Sequence, residues 1–157
     1  FENALKGKPN QIERQRDDVE VSAADLINFN VEGGKITEEG LRLNINVGIL
    51  YIESWLQGQG AAAIYNLMED TATAEISRAQ VWQWINHPEG KLDDGRNVDE
   101  ALCRELIGEE LVKIEELVGT KRFKEGQFKR ATQLFEDLIF AEDFVDFLTL
   151  PGYERLQ

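Results

Sequence analysis

Two adjacent carboxylates, Glu69 and Asp70, stand where a run of small residues, Gly58 to Ala63, gives way to a helical pattern that continues through Trp82 and Trp84. The pattern puts Asp70 in the first turn of that helix or at its N-cap. There the unpaired backbone N–H groups and the positive end of the helix dipole favour an ionised carboxylate. A charged Asp aimed out of a helix start is a candidate general base, provided its surroundings are dry enough to make it basic. The same residue reads equally well as a plain cap, because Ser, Thr, Asp and Asn are common at helix starts.

The other chemistry-bearing residues offer less. Cys103 is the only cysteine, so no internal disulfide is possible, a reducing compartment is expected, and its neighbours Leu102, Leu106 and Ile107 point to packing. His87 is the only histidine, without Cys or His nearby, which makes it a poor metal ligand and a poor partner for a nucleophile. Asp93-Asp94-Gly95 lacks the alternating oxygen ligands and distal Glu of a calcium loop and reads as a solvated turn. Lys121-Arg122-Phe123-Lys124 is the one basic cluster; it suits a solvated helix start, a phosphate or an acidic neighbour.

The elements that must position these residues are helical. Ser22 caps a short helix over residues 23–27, and Asn30 to Lys35 is a loop containing Gly33-Gly34. Thr37 caps a long helix whose stripe Leu41, Ile45, Gly48/Ile49, Ile52, Trp55 and Leu56 marks a core face, with Gly58 and Gly60 at its end. After the carboxylates, Ala72, Ile76, Ala79 and Gln83 share one helix face, and Pro88 stops the helix. Asn97 is the expected cap of a helix over 98–118 with Cys103, Ile107, Leu111, Ile114 and Val118 on one side, closed by Gly119. Phe128, Ala131, Phe135 and Leu138 define a last long helix. Phe140, Phe144, Phe147 and Leu148 continue it as core or interdomain surface, and Pro151-Gly152 closes the structure. No strand pattern and no internal repeat is visible. The expectation is an all-α bundle of about five helices, with residues 1–21 as a polar linker segment and 22–157 as the helical domain.

Composition bounds the function. The 157 residues, 42% apolar and 30% charged, suit one soluble globular domain. A net charge of −13 argues against nucleic acid and against anionic membranes. No apolar run approaches the ~20 residues of a membrane span, and no signal peptide is visible. The chain starts at Phe1 without an initiator Met, as a piece of something longer would.

The run Asn66-Leu67-Met68-Glu69-Asp70 with Ala72-Thr73-Ala74-Glu75-Ile76-Ser77-Arg78 resembles the C-terminal helical domain of the malate synthases, closest to their A-type branch. The likeness extends upstream through Thr37-Glu38-Glu39-Gly40-Leu41-Arg42, Asn44-Ile45-Asn46-Val47-Gly48 and Tyr51-Ile52-Glu53-Ser54-Trp55-Leu56. Downstream it takes in Gln80-Val81-Trp82-Gln83-Trp84-Ile85 and Phe147-Leu148-Thr149-Leu150-Pro151-Gly152-Tyr153, so it covers nearly the whole chain. The resemblance implies a plug domain over the open end of a TIM barrel that holds Mg2+ and glyoxylate. It implies a reaction of the glyoxylate cycle, in which acetyl-CoA, glyoxylate and water give malate and CoA. By the same resemblance Asp70 is the catalytic base and Met68 lies beside the substrate channel. Glu69 is a supporting charge, and Pro9 and Asn10 lie beside coenzyme A. The barrel's metal carboxylates and arginine are absent from these residues. The chain alone is therefore expected to bind no catalytic Mg2+ and to have no synthase activity.

Two other readings stand beside this one: a non-enzymatic interaction module docking through Phe144 or Phe147, and a stand-alone enzyme using Glu69 and Asp70. The ending Glu154-Arg155-Leu156-Gln157 is not a peroxisomal address, so a cytoplasmic location is expected.

Overall fold

Ser22 starts a short helix by a reciprocal cap. Its side-chain oxygen accepts from the Asp25 N–H at 3.1 Å, while the Asp25 carboxylate accepts from the Ser22 N–H at 2.8 Å, which satisfies two helix-start donors at once. The computed structural model describes residues 1–28 and 31–156. Phe29, Gln157 and Asn30, at which the expected Gly33-Gly34 loop begins, lie outside the described residues. The chain divides into two compact units, Phe1–Gly34 and Lys35–Gln157. The first holds α1 (Glu2–Leu5), a single turn within the segment expected as a polar linker, and the capped α2 (Ala23–Ile27).

In the second unit Thr37 caps α3 (Glu38–Leu56) by accepting from the Gly40 N–H at 3.0 Å. Leu41, Ile45, Ile49, Ile52 and Leu56 are buried along one face, as the stripe predicts, and Trp55 is half-buried. Behind α3 come β1 (Ala62–Ile64), β2 (Leu67–Glu69), α4 (Thr71–Asn86), α5 (Glu100–Val118), α6 (Thr120–Glu125), α7 (Phe128–Ile139) and α8 (Thr149–Tyr153). The helix α3 is the axis of the bundle and packs against α4, α5, α7 and β1. Gly48 allows the approach to α7, because a Cβ there would lie 2.4 Å from the Phe135 ring. No helix among the described residues is long and apolar enough to cross a membrane.

The structure corrects the all-α expectation in one place: β1 and β2 form an antiparallel hairpin, paired Ala62 with Glu69, Ala63 with Met68 and Ile64 with Leu67. Strands of three residues are too short to show an alternating pattern in sequence. The cap of α5 is Asp99, which accepts from the Leu102 N–H at 2.9 Å, in place of the expected Asn97. Pro151 and Gly152 lie within α8, where the missing proline N–H falls in a first turn and costs no helical bond.

The face of α4 is also corrected. Ala72 and Ile76 are exposed, and the buried side is Ala74, Ser77, Arg78 and Val81. Arg78 is only 1% exposed and is fully engaged. Its Nε donates to Glu75 at 2.7 Å, and its two terminal nitrogens donate to the carbonyls of Val145 at 2.5 Å and Asp146 at 3.0 Å. The Glu75 carboxylate accepts in turn from the Leu148 N–H at 2.8 Å. The guanidinium sits 4.1 Å from the Phe144 ring centroid. A buried charge so satisfied acts as a clamp that ties the segment after α7 to α4.

A second ion pair, buried on its carboxylate side only, joins α3 to α6 and the start of α7. Arg122, the one arginine of the basic cluster, donates to both oxygens of Glu53 at 2.9 and 2.6 Å, and the Gln127 N–H donates to the same carboxylate at 2.9 Å. Burial opposes ionisation of Glu53 and is the largest influence on it, yet these donors outweigh it and hold the carboxyl below its usual range. The sign follows from that direction. The stability contributed is complete above the unfolded-state value of about 4.3 and is lost as pH falls through the lower folded value. Glu53→Gln leaves the exposed Arg122 free to hydrate and is expected to lower stability at pH 7 by about 1–2 kcal/mol. The gap to the parent chain should shrink below pH ~4, as urea unfolding across that range would show.

Candidate functional site

The Asn66-to-Asp70 stretch gains its geometry from a turn. Tyr65 and Asn66 have φ of 51° and 63°, and positive φ at both central residues of a two-residue hairpin loop is the type I′ pattern. Asn tolerates this region well, whereas Tyr does so rarely. Tyr65 is held there from its far end: its hydroxyl donates to Asn46 Oδ1 at 2.7 Å. Asn46 is buried on α3, and its Nδ2 donates to the buried Glu110 carboxylate of α5 at 2.9 Å. Lys113 at 2.6 Å and Arg42 at 3.2 Å complete that carboxylate's partners. Burial and the Glu110 charge outweigh the opposing influences of Asn46 and Lys113 and hold the Tyr65 phenol above its ordinary pKa, so it remains the donor at neutral pH.

The other end of the hairpin is fixed by Tyr51, which is fully buried on α3. Its hydroxyl donates to the Gly60 carbonyl at 2.8 Å, just before β1, and lies 2.8 Å from Thr71 Oγ1, the first residue of α4. Asp70 sits between the hairpin and that threonine. It is the N-cap of α4, and its Oδ1 accepts from the Ala72 N–H at 2.9 Å. The cap reading of Asp70 is therefore correct in geometry, and the side chain remains exposed. Glu69 is half-buried and turned onto the same helix start, where Thr73 Oγ1 donates to its Oε2 at 2.5 Å.

Successive strand residues face opposite sides. Glu69 and Leu67 line a recess of about 510 Å³ with Leu43, Val47, Ile64 and Ile76, while Met68 is absent from that lining and 82% exposed. The structure thus brings Met68, Glu69 and Asp70 to one corner. Pro9 and Asn10 lie in the first unit, along a cavity of about 680 Å³ that Lys6, Lys8 and Arg14 also line. There the Asn10 Oδ1 accepts from the Ile12 N–H at 3.0 Å.

The remaining candidates play local roles. Cys103 is buried and its thiol is pushed up to about 12 by burial and the nearby Asp99 charge, so it is a packing residue. The His87 Nδ1 accepts from the Glu89 N–H at 3.2 Å. Asp94 pairs with Arg96 in the expected turn. Among the described residues no group of three or more His, Cys, Asp or Glu is placed to hold a metal ion. Sequence reasoning passed over Tyr51, Asn46 and Tyr65. The available signal was that Asn46 and Tyr51 neighbour the apolar stripe residues Ile45 and Ile52 on α3.

Fold and site together define a helical domain that presents a carboxylate outward from a hairpin-to-helix corner. The family model described as malate synthase, C-terminal, matches residues 35–156, and the chain belongs to that family. It is 50% identical to a malate synthase of Myxococcus xanthus over 157 residues, covering 100% of this chain and 28% of the relative. It is 44% identical to malate synthase A of Escherichia coli over 156 residues, 99% of this chain and 29% of the relative. A glyoxysomal malate synthase of Glycine max is 41% identical over 160 residues, 99% of this chain and 28% of the relative. The chain thus spans under a third of the length of the curated relatives it matches.

The geometry separates the two properties of Asp70, its cap and its charge. Asp70→Ala removes the acceptor and should cost about 1 kcal/mol, whereas Asp70→Asn keeps an equally good cap and should stay within a few tenths. Denaturant unfolding of both variants measures the difference.

Proposed function

We propose that this chain supplies the catalytic base of a malate synthase, with Asp70 removing a methyl proton from acetyl-CoA so that the resulting carbanion equivalent adds to glyoxylate. The observation that carries this reading is the exposed Asp70 carboxylate, engaged through Oδ1 at the start of α4 within a frame anchored by Tyr51, Asn46 and Tyr65. Its family membership supplies the reaction.

The step is a proton transfer. A carboxylate oxygen of Asp70 takes the proton, and the C–H electron pair moves into the C–C bond to form an enolate on the thioester oxygen. That oxygen needs donors or a cation as charge develops, and the carbon then attacks the glyoxylate aldehyde. Water later cleaves the thioester to malate and free CoA. Among the described residues no group of three or more His, Cys, Asp or Glu is placed to hold Mg2+, and we assign the metal and the enolate-stabilising donors to the rest of the enzyme. That remainder is a barrel on the proposed reading, which this domain would cover as a plug.

Met68 and Glu69 flank the base, Met68 as an exposed apolar contact for the thioester arm and Glu69 as a supporting charge. Pro9 and Asn10 take the coenzyme beside Lys6, Lys8 and Arg14, whose cationic side chains suit its phosphates. Residues 1–21 serve as the linker to the barrel and 22–157 as the helical domain. The interaction-module reading draws support from Phe147, which is 60% exposed. It draws less from Phe144, whose ring is occupied by Arg78 and by Trp82 at 5.1 Å.

In the complete enzyme, Asp70→Asn should lower kcat by at least about 10²–10⁴-fold with the fold unchanged; near-normal turnover would remove the assignment. The 157 residues alone, given acetyl-CoA, glyoxylate and Mg2+, should form no malate, and a measurable rate would show that the site is complete within them.

A further inference from the structure

We infer that Tyr51 is a positioning residue for Asp70, an inference that rests on the assignment of Asp70 as the base. Tyr51 is 0% exposed and part of the hydrophobic core, yet it carries a hydroxyl into that core. A buried hydroxyl is tolerated only when its hydrogen-bonding capacity is used. Here the hydroxyl proton goes to the Gly60 carbonyl, so the contact to Thr71 must run the other way, with Thr71 Oγ1 donating to Tyr51. One side chain therefore joins the residue that enters the hairpin to the residue that follows the catalytic carboxylate.

The consequence is geometric. Asp70 has only two covalent neighbours through which its backbone can be aimed, Glu69 and Thr71. Glu69 belongs to a hairpin of three-residue strands, which holds little stability of its own. Thr71 is fixed by Tyr51 to a helix whose core face is wholly buried. Pinning Gly60 and Thr71 to the same phenol sets the separation of the hairpin root from the helix start, and so the corner at which Asp70 stands. Proton removal from carbon requires the base within a fraction of an ångström of its target, and a displacement near 1 Å costs about 10²-fold.

The test uses the complete enzyme. Tyr51→Phe keeps the ring and its packing and removes only the hydroxyl. Expected are a fall in kcat of about 10- to 100-fold, little change in KM for acetyl-CoA, and a larger primary isotope effect with trideuterated acetyl-CoA as proton removal becomes slower. Ile139→Val, a core change on α7 remote from the hairpin, serves as the stability control and should leave kcat and the isotope effect unaltered. A purely structural role for Tyr51 would lower the melting temperature and leave both kinetic readouts at the parent value, which overturns the proposal. Asp70→Asn is measured in the same series. If it is inactive while Tyr51→Phe behaves as the parent, the positioning role fails alone; if it is active, the assignment of the base fails first.

Discussion

A hairpin with three residues in each strand cannot hold its own shape in water, and the catalytic candidate of this chain hangs from the end of one. The placement of Asp70 beyond its cap on α4 is therefore borrowed from α3. The loan is made through two buried polar side chains of that helix, Asn46 toward the hairpin tip and Tyr51 toward its root. Both points are buried, where low polarity strengthens a satisfied hydrogen bond and makes a broken one costly. The positive φ of Tyr65 is kept by the same arrangement, since its hydroxyl would lose Asn46 if the turn relaxed.

The bundle around α3 is closed by ion pairs as well as by apolar packing. Glu53 with Arg122, Glu75 with Arg78 and Glu110 with Lys113 and Arg42 each bury a carboxylate or a guanidinium and surround it with donors or acceptors. Such pairs add little net stability over an apolar replacement, but a wrong packing leaves a charge unpaired at a cost of several kcal/mol. They specify which helix faces which. In particular, the Arg78 clamp fixes the chain after α7, which has no long helix of its own between residues 140 and 148.

The helices were legible because their signals are local: Thr37 and Ser22 as caps, the 3.6-residue stripe on α3, the Phe128 to Leu138 face of α7. What escaped was set by contacts distant in sequence. The inward face of α4 is chosen by Arg78, whose burial depends on carbonyls 67 and 68 positions away, so a hydrophobicity pattern over Ala72, Ile76, Ala79 and Gln83 pointed to the wrong side. The hairpin escaped because Tyr65-Asn66 is a turn only once Asn46 and the strand pairing hold it. At the candidate site, the helix-start position of Asp70 was legible from its residue type and the helical pattern that follows it, and its proposed role came from the family resemblance. Its supports were not found, since nothing in the sequence near Asp70 announces residues 46 and 51.

The cap and the proposed base make opposite demands on one carboxylate. A cap wants the group bound to the helix start, and a base wants it free and poorly solvated in front of its substrate. Asp70 reconciles them by using its two oxygens differently. Oδ1 is committed to the Ala72 N–H, which fixes the plane of the group, and the exposed side chain is open to a neighbour. In water an exposed carboxylate is well hydrated and too weak a base for a carbon acid. The bundle cannot correct this, since it supplies orientation and no enclosure. Drying must come from whatever covers the corner, and an apolar surround is already half built there. Leu67, Met68 and Ile76 stand exposed next to the helix start, where a second surface laid over them would expel water from Asp70 as it buried them. On the proposed reading, docking and basicity are then one event, and the carboxylate becomes competent only when the rest of the enzyme closes over it.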